Sequence, residues 1–130
     1  HVGITPVVVP ELGEVDRSST GYLPEAERAA AARLLFERPD ESVRGWETAR
    51  HAQARIIHAM DRVIKMHRAE NDVVVVAHGT VGVFYLCHLM GVPISMVEAQ
   101  PGRDGGYYYA FDAATQVLRH GWMRIEPERE

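Results

Sequence analysis

The chain holds a single cysteine, Cys87, so no internal disulfide framework can form. It has no apolar run near the ~18 residues that a membrane span requires. It has no long basic run, and its net charge of −4 and pI near 6.0 argue against a nucleic-acid surface. A dinucleotide fingerprint needs G-x-G-x-x-G, but Gly79 and Gly82 have Val81 where the middle glycine would help. A nucleophile elbow needs G-x-S-x-G, and the frame centred on Thr80 has His78 at the first glycine position. There is no internal repeat and no low-complexity segment. No signal peptide is visible, but residue 1 is His rather than Met, so an upstream targeting signal is left open. What remains is an ordinary globular composition: 130 residues, 46% hydrophobic and 25% charged, enough for one domain around one core.

The most informative stretch is Asp72-Val73-Val74-Val75-Val76-Ala77-His78-Gly79-Thr80. Four consecutive valines predict a strand buried on both faces, as in a central parallel strand. The apolar residues Val81, Phe84, Tyr85, Leu86, Leu89 and Met90 then predict a helix, closed by Gly91 and Pro93. His78 thus falls at the carboxyl end of a parallel strand, where open α/β sheets place ligands. The helix start behind it offers backbone N–H groups and a positive dipole end, which suit an anion. A strand-to-helix turn can also be a mere connection.

Upstream, Ile4 to Val9 predicts a short edge strand, interrupted by Pro6 and stopped by Pro10. Glu11 to Tyr22 has no period and reads as a loop rich in donors and acceptors. Pro24 opens a helix that runs to about Arg38, with Glu25 and Glu27 at its positive end. A second helix carries Trp46, Ala49, Ile56, Ile57, Met60, Val63 and Ile64 on one face and ends near Met66 or His67. Gln100 to Gly106 is a Gly/Pro-rich loop. Tyr107 to Phe111 and Val117 to Ile125 predict a hairpin around Asp112-Ala113-Ala114-Thr115. The order is that of an α/β domain with an antiparallel edge.

Most other reactive side chains have plain explanations. Cys87 lies on an apolar helical pattern and reads as a small core residue. His51, His58 and His67 read as surface or boundary residues of the second helix. No i, i+4 histidine pair or carboxylate partner builds a metal site around them. His88 and His120 read as structural, and Tyr107-Tyr108-Tyr109 chiefly as packing.

With the segments placed, the chain resembles the carboxyl-terminal two thirds of a histidine phosphatase of the phosphoglycerate-mutase-like type, over roughly residues 1 to 112. The strand, His78-Gly79 and helix are similar to that family's second histidine motif, and the helix ends in Leu89-Met90-Gly91-Val92-Pro93. Leu12-Gly13-Glu14 sits where the family carries L-x-E. Gly45, Glu47-Thr48 and Arg55 match the opening of its long helix, with Trp46 inserted. One departure is serious. The family's defining Arg-His-Gly, after an N-terminal strand, is not found in its place. Arg119-His120-Gly121 reads so by letters but lies in the terminal hairpin, after His78 rather than before it. A second family arginine is also missing, and His1-Val2-Gly3-Ile4 looks like the end of the segment that would carry it. The expectation is a single domain, residues 1–130, forming part of a larger one that lacks roughly two βα units, on the order of 60 residues.

The resemblance implies a three-layer α/β/α sheet, mostly parallel with an antiparallel edge, seen without its first strand and helices. It implies a phosphomonoester hydrolase working through a phosphohistidine, with the attacking histidine outside this chain. His78 would hold the transferring phosphoryl oxygens, and Glu14 would protonate the leaving oxygen. Gly79 and Thr80 would add backbone N–H groups, and Arg17 and Ser18 would contact substrate. Neither His78 nor Glu14 belongs to the apolar pattern, so replacing either is expected to leave the fold nearly unchanged. No cofactor and no metal are expected. The partner is a small phosphorylated substrate, with no nucleic acid and no membrane; a homodimer and a cytoplasmic location are compatible with the chain. Phosphatase is favoured over mutase, because Glu11 to Tyr22 leads directly into a helix without a longer insertion. The alternatives are a catalytically inactive phosphate-ligand or protein-binding module of the same fold, and a small nucleotide-binding α/β domain.

Overall fold

The computed structural model describes residues 3–67, 70–102 and 105–126. His1 and Val2, read above as the tail of an upstream segment, lie outside them. Three helices form where the periodicity places them: α1 at Glu25–Glu37, α2 at Ala49–Met66 and α3 at Gly79–Met90. The α1 helix starts directly after Pro24 and stops short of Pro39, whose ring disfavours helical geometry in the residue before it. At the start of α2, Thr48 takes the backbone N–H of His51 on its hydroxyl at 3.0 Å. The α3 helix ends on Gly91 at φ 66, a left-handed closure that glycine adopts without strain.

These helices build the core. On α2 the buried residues Ala49, Ala52, Ile56, Ala59 and Met60 recur at helical spacing. On α3 the apolar residues run almost all the way round, and Val81, Phe84 and Cys87 are fully buried. Burial also pushes the Cys87 thiol up, as befits a core residue. Phe36 of α1 meets Phe84 at 5.2 Å between ring centres. Gln53 of α2 donates to the Phe84 carbonyl at 2.9 Å, tying α2 to α3.

Two strands follow, β1 at Tyr107–Phe111 and β2 at Leu118–Arg124, paired antiparallel with Tyr107 opposite Arg124 and Phe111 opposite Leu118. Asp112 closes the turn by accepting the backbone N–H groups of Ala114 and Thr115, both at 2.9 Å. The hairpin lies on α3: Tyr109 donates to the Gly82 carbonyl at 2.8 Å and stacks edge-on against Trp122. Packing is thus the role of Tyr109, as expected. His120 lies within β2, edge-on to Tyr108, so Arg119-His120-Gly121 is strand and not a strand-to-helix turn.

One expectation is corrected among the described residues. Neither Ile4 to Val9 nor Val73 to Val76 joins a strand, and the sheet has two strands. Val74 and Val76 are each 87% exposed, and Val7 and Val8 are 82% and 85% exposed. Only Val75 of the run packs against the core. β-Branched residues fit a pleated surface, but a strand also needs a neighbour's N–H and C=O groups. Among the described residues no ladder of such bonds reaches either run. The molecule is a mixed helix and strand domain consistent with an α/β class. Among the described residues no helix is long and apolar enough to cross a membrane.

Candidate active site at the start of α3

The site is assembled from two sequence-distant pieces: the loop before α1 and the first turn of α3. Arg55, on the second turn of α2, holds the loop. Its guanidinium donates to the carbonyls of Glu11 at 2.7 Å, Gly13 at 2.8 Å and Glu14 at 3.3 Å. The same group forms a two-pronged pair with Glu47, at 3.0 Å from Nε and 2.8 Å from Nη2. Glu47 also takes the Asp16 backbone N–H at 3.2 Å, while its own N–H donates to the Asp16 carbonyl. Burial works to raise the Glu47 carboxyl, but hydrogen bonds from Arg55, His51 and the Asp16 backbone together hold it at about 2. The Glu47 hydrogen bond in turn raises Arg55, against its burial. The loop is therefore fixed by a charged anchor before any ligand arrives.

Beyond the anchor, Val15 turns into the core and Glu14 faces α3. One Glu14 oxygen accepts from Thr80 N at 3.0 Å; the other accepts from Val81 N at 3.2 Å and from Val15 N at 2.9 Å. A carboxylate at a helix amino end is favoured by the free N–H groups and by the dipole. His78 is the residue immediately before α3. It is exposed, and its ring makes no hydrogen bond to a described residue.

Arg17 arrives from the same loop. Its Nη2 donates to the Thr80 hydroxyl at 3.3 Å, and its guanidinium carbon lies 4.9 Å from the centre of the Trp46 ring. Its Nε is buried without a partner. No carboxylate among the described residues pairs with it. The turn that aims it is braced: Thr20 N and Gly21 N donate to the Arg17 carbonyl, Trp46 Nε1 donates to the Thr20 hydroxyl at 2.8 Å, and Ser19 donates to the Arg44 carbonyl. Gly45, at φ 79, is required here twice over: a β-carbon on it would come 3.1 Å from the Ser19 side chain. Beside Arg17 opens a cavity of about 410 Å³ lined also by Ser18, Tyr22, Leu23, Arg28 and Trp46.

The sequence-derived candidates Glu14, Arg17, His78, Gly79 and Thr80 therefore meet at one place. Ser18 does not join them; it is exposed, its N–H donates to the Asp16 carboxylate at 2.9 Å, and it lines the cavity beside Arg17. The Thr80 N–H was expected to face a phosphate, yet it is taken by Glu14. His51, expected to find no carboxylate with which to build a metal site, meets Glu47, four residues earlier, at 2.6 Å from its Nδ1. The helix starts at Ala49, later than the Trp46 start that the apolar pattern predicts, so Glu47 stands just before it. The pair grows into no metal-binding cluster among the described residues. Sequence reasoning missed Gln100, whose side chain faces Gly79 so closely that a β-carbon there would sit 3.4 Å from Nε2. It also gave Trp46, Tyr22 and Arg28 no place at the site. Trp46 was visible as an inserted aromatic; nothing in the pattern singles out Gln100.

A comparison with curated proteins found no match. The family model described as Histidine phosphatase superfamily (branch 1) matches residues 1–108, a span that includes the Leu12-Gly13-Glu14 turn, the Arg55 anchor and the His78-Gly79 helix start. The chain belongs to the histidine phosphatase superfamily, branch 1.

Proposed function

We propose that this chain is part of a phosphomonoester hydrolase that acts through a phosphohistidine, with the attacking histidine supplied from outside these 130 residues. The observation that carries the reading is the meeting of His78, Glu14 and Arg17 at the first turn of α3. The transferring phosphoryl group sits against the Arg17 guanidinium and the His78 ring, which stabilise the charge that develops on its oxygens. Glu14 supplies the proton to the leaving oxygen. The Glu14 oxygen facing Thr80 has one N–H donor and the other has two, so the proton belongs on the first and the second keeps the side chain in register. The unpartnered runs at residues 4–9 and 73–76 belong, on this reading, to the parallel layer of a three-layer α/β/α sheet. Family membership supports the phosphoryl chemistry.

A second reading is an inactive module that only binds a phosphorylated ligand. It is favoured by the Glu14 carboxylate resting on the Thr80 N–H, one of the two that would cradle a phosphate. A phosphomonoester assay separates the two. The 130-residue chain alone should show no appreciable turnover, and the full-length protein, with whatever its gene encodes around this chain, should. Turnover by the chain alone at the level of the full-length protein would require a different nucleophile. Inactivity of the full-length protein across phosphomonoesters, with phosphate binding retained, would leave the module.

A further inference from the structure

We propose that the cavity beside Arg17 is a subsite for the non-phosphoryl part of the substrate, and that it selects phosphomonoesters of a flat, partly apolar body bearing a second acidic group. The proposal rests on the start of α3 being the phosphoryl end. Arg17 links the two places: its Nη2 donates to the Thr80 hydroxyl at 3.3 Å, and the same residue lines the cavity. A phosphoryl group held there therefore has the cavity of about 410 Å³ directly beside it. The walls are of two kinds. Tyr22, Leu23 and Trp46 are largely apolar, and Tyr22 is 91% exposed, a ring with little else to cover it. Arg28, on the first turn of α1, supplies the second positive charge. Its charge is tied up in no ion pair among the described residues, and the acidic neighbours on that turn, Glu25 and Glu27, do not line the cavity.

A purely apolar alcohol would leave Arg28 facing a ligand with nothing to give it, whereas a ligand with a carboxylate or second phosphate makes a charge-assisted bond there. A small aliphatic phosphate would leave the Tyr22 ring uncovered. The turn carrying Arg17 is braced by Trp46, Thr20 and Ser19 before binding, so little ordering of that part opposes it.

The test is equilibrium binding of non-hydrolysable phosphonates to the full-length protein by calorimetry. Methylphosphonate, benzylphosphonate, 4-carboxybenzylphosphonate and its neutral 4-carbamoyl counterpart are compared. The carboxyl compound should bind about fivefold or more tightly than the carbamoyl one, with the gap shrinking at high salt. Arg28→Gln should abolish that gap and leave benzylphosphonate unaffected. Tyr22→Ala should weaken all three benzyl compounds but not methylphosphonate. Both residues are exposed, so neither change disturbs the core. Equal affinity for carboxyl and carbamoyl compounds overturns the proposal. So does a loss on Arg28→Gln that is uniform across all four, which would put Arg28 on the phosphoryl group itself, and so does a failure of all four to bind. The phosphatase reading fails separately: carboxyl selectivity without any phosphomonoester turnover keeps the subsite and removes the hydrolase. Turnover without selectivity does the reverse.

Discussion

Glu14 shows how one side chain serves structure and chemistry together. In the full-length protein Glu14→Gln should slow alkyl phosphates far more than activated aryl phosphates, since only the former need a proton on departure. Equal losses on both would make Glu14 a positioning group. The contacts revise the expectation that this change is silent for the fold. An amide nitrogen in place of one oxygen would face the N–H of Thr80 or Val81, donor against donor. A loss of about 1–2 kcal/mol in denaturant unfolding is therefore expected. His78→Ala has no such burden, because the ring is exposed and unbonded among the described residues. It should reduce the rate by about a hundredfold or more with the melting temperature nearly unchanged. A large fall in melting temperature would instead mark His78 as structural. These residues were legible because the strand-to-helix turn and the L-x-E spacing are local patterns. Their hydrogen bonds were not, since Glu14 reaches a partner 66 residues away.

At the level of elements, the loop from Glu11 to Tyr22 owes its shape to α2 and to the residues that precede it. Arg55 satisfies three loop carbonyls, and Glu47 satisfies both Arg55 and Asp16. Arg55→Lys cannot reproduce the fork, so amide exchange across residues 13–16 should accelerate while the middle of α2 stays protected. The Glu47 carboxyl, at about 2 when folded against an ordinary 4.5, contributes stability that is complete above pH 4.5 and fades as pH falls toward 2. Acid unfolding of Glu47→Gln should lack that part of the pH dependence, and the variant should be about 1–3 kcal/mol less stable near neutrality because Arg55 loses its partner. An unchanged acid profile would contradict the anchor. The helices themselves were readable from spacing, caps and prolines. The loop was not, because its order comes from a guanidinium on another element and leaves no period in its own residues.

Across the whole molecule, helical and hairpin structure depend on near neighbours, whereas a parallel strand depends on remote ones. The valine run announces its capacity for a ladder through composition, but composition names no partner. This explains why α1 to α3 and the β1–β2 hairpin fall where the pattern puts them, while residues 73–76 lie outside any sheet among the described residues. The two kinds of segment should respond differently to mutation in the 130-residue chain. Val74→Thr with Val76→Thr, at 87% exposed positions, should change stability by less than about 0.5 kcal/mol. Phe84→Ala, at a fully buried site against Phe36, should cost about 3–5 kcal/mol. A large loss from the valine pair would show that the run is paired in solution.

Trp46 carries a practical consequence. The chain has two tryptophans, and Trp122 can be replaced by Phe to leave one emitter. The remaining indole is 2% exposed, holds a hydrogen bond to Thr20, and has the Arg17 charge against its π face. Its emission should be blue-shifted, as for an indole shielded from water. Any anion that draws the guanidinium off the ring alters the field across the excited state. Titration with inorganic phosphate should therefore change wavelength and intensity together, and Arg17→Ala should erase the response. The molecule is built so that occupation of its arginine can be watched in light.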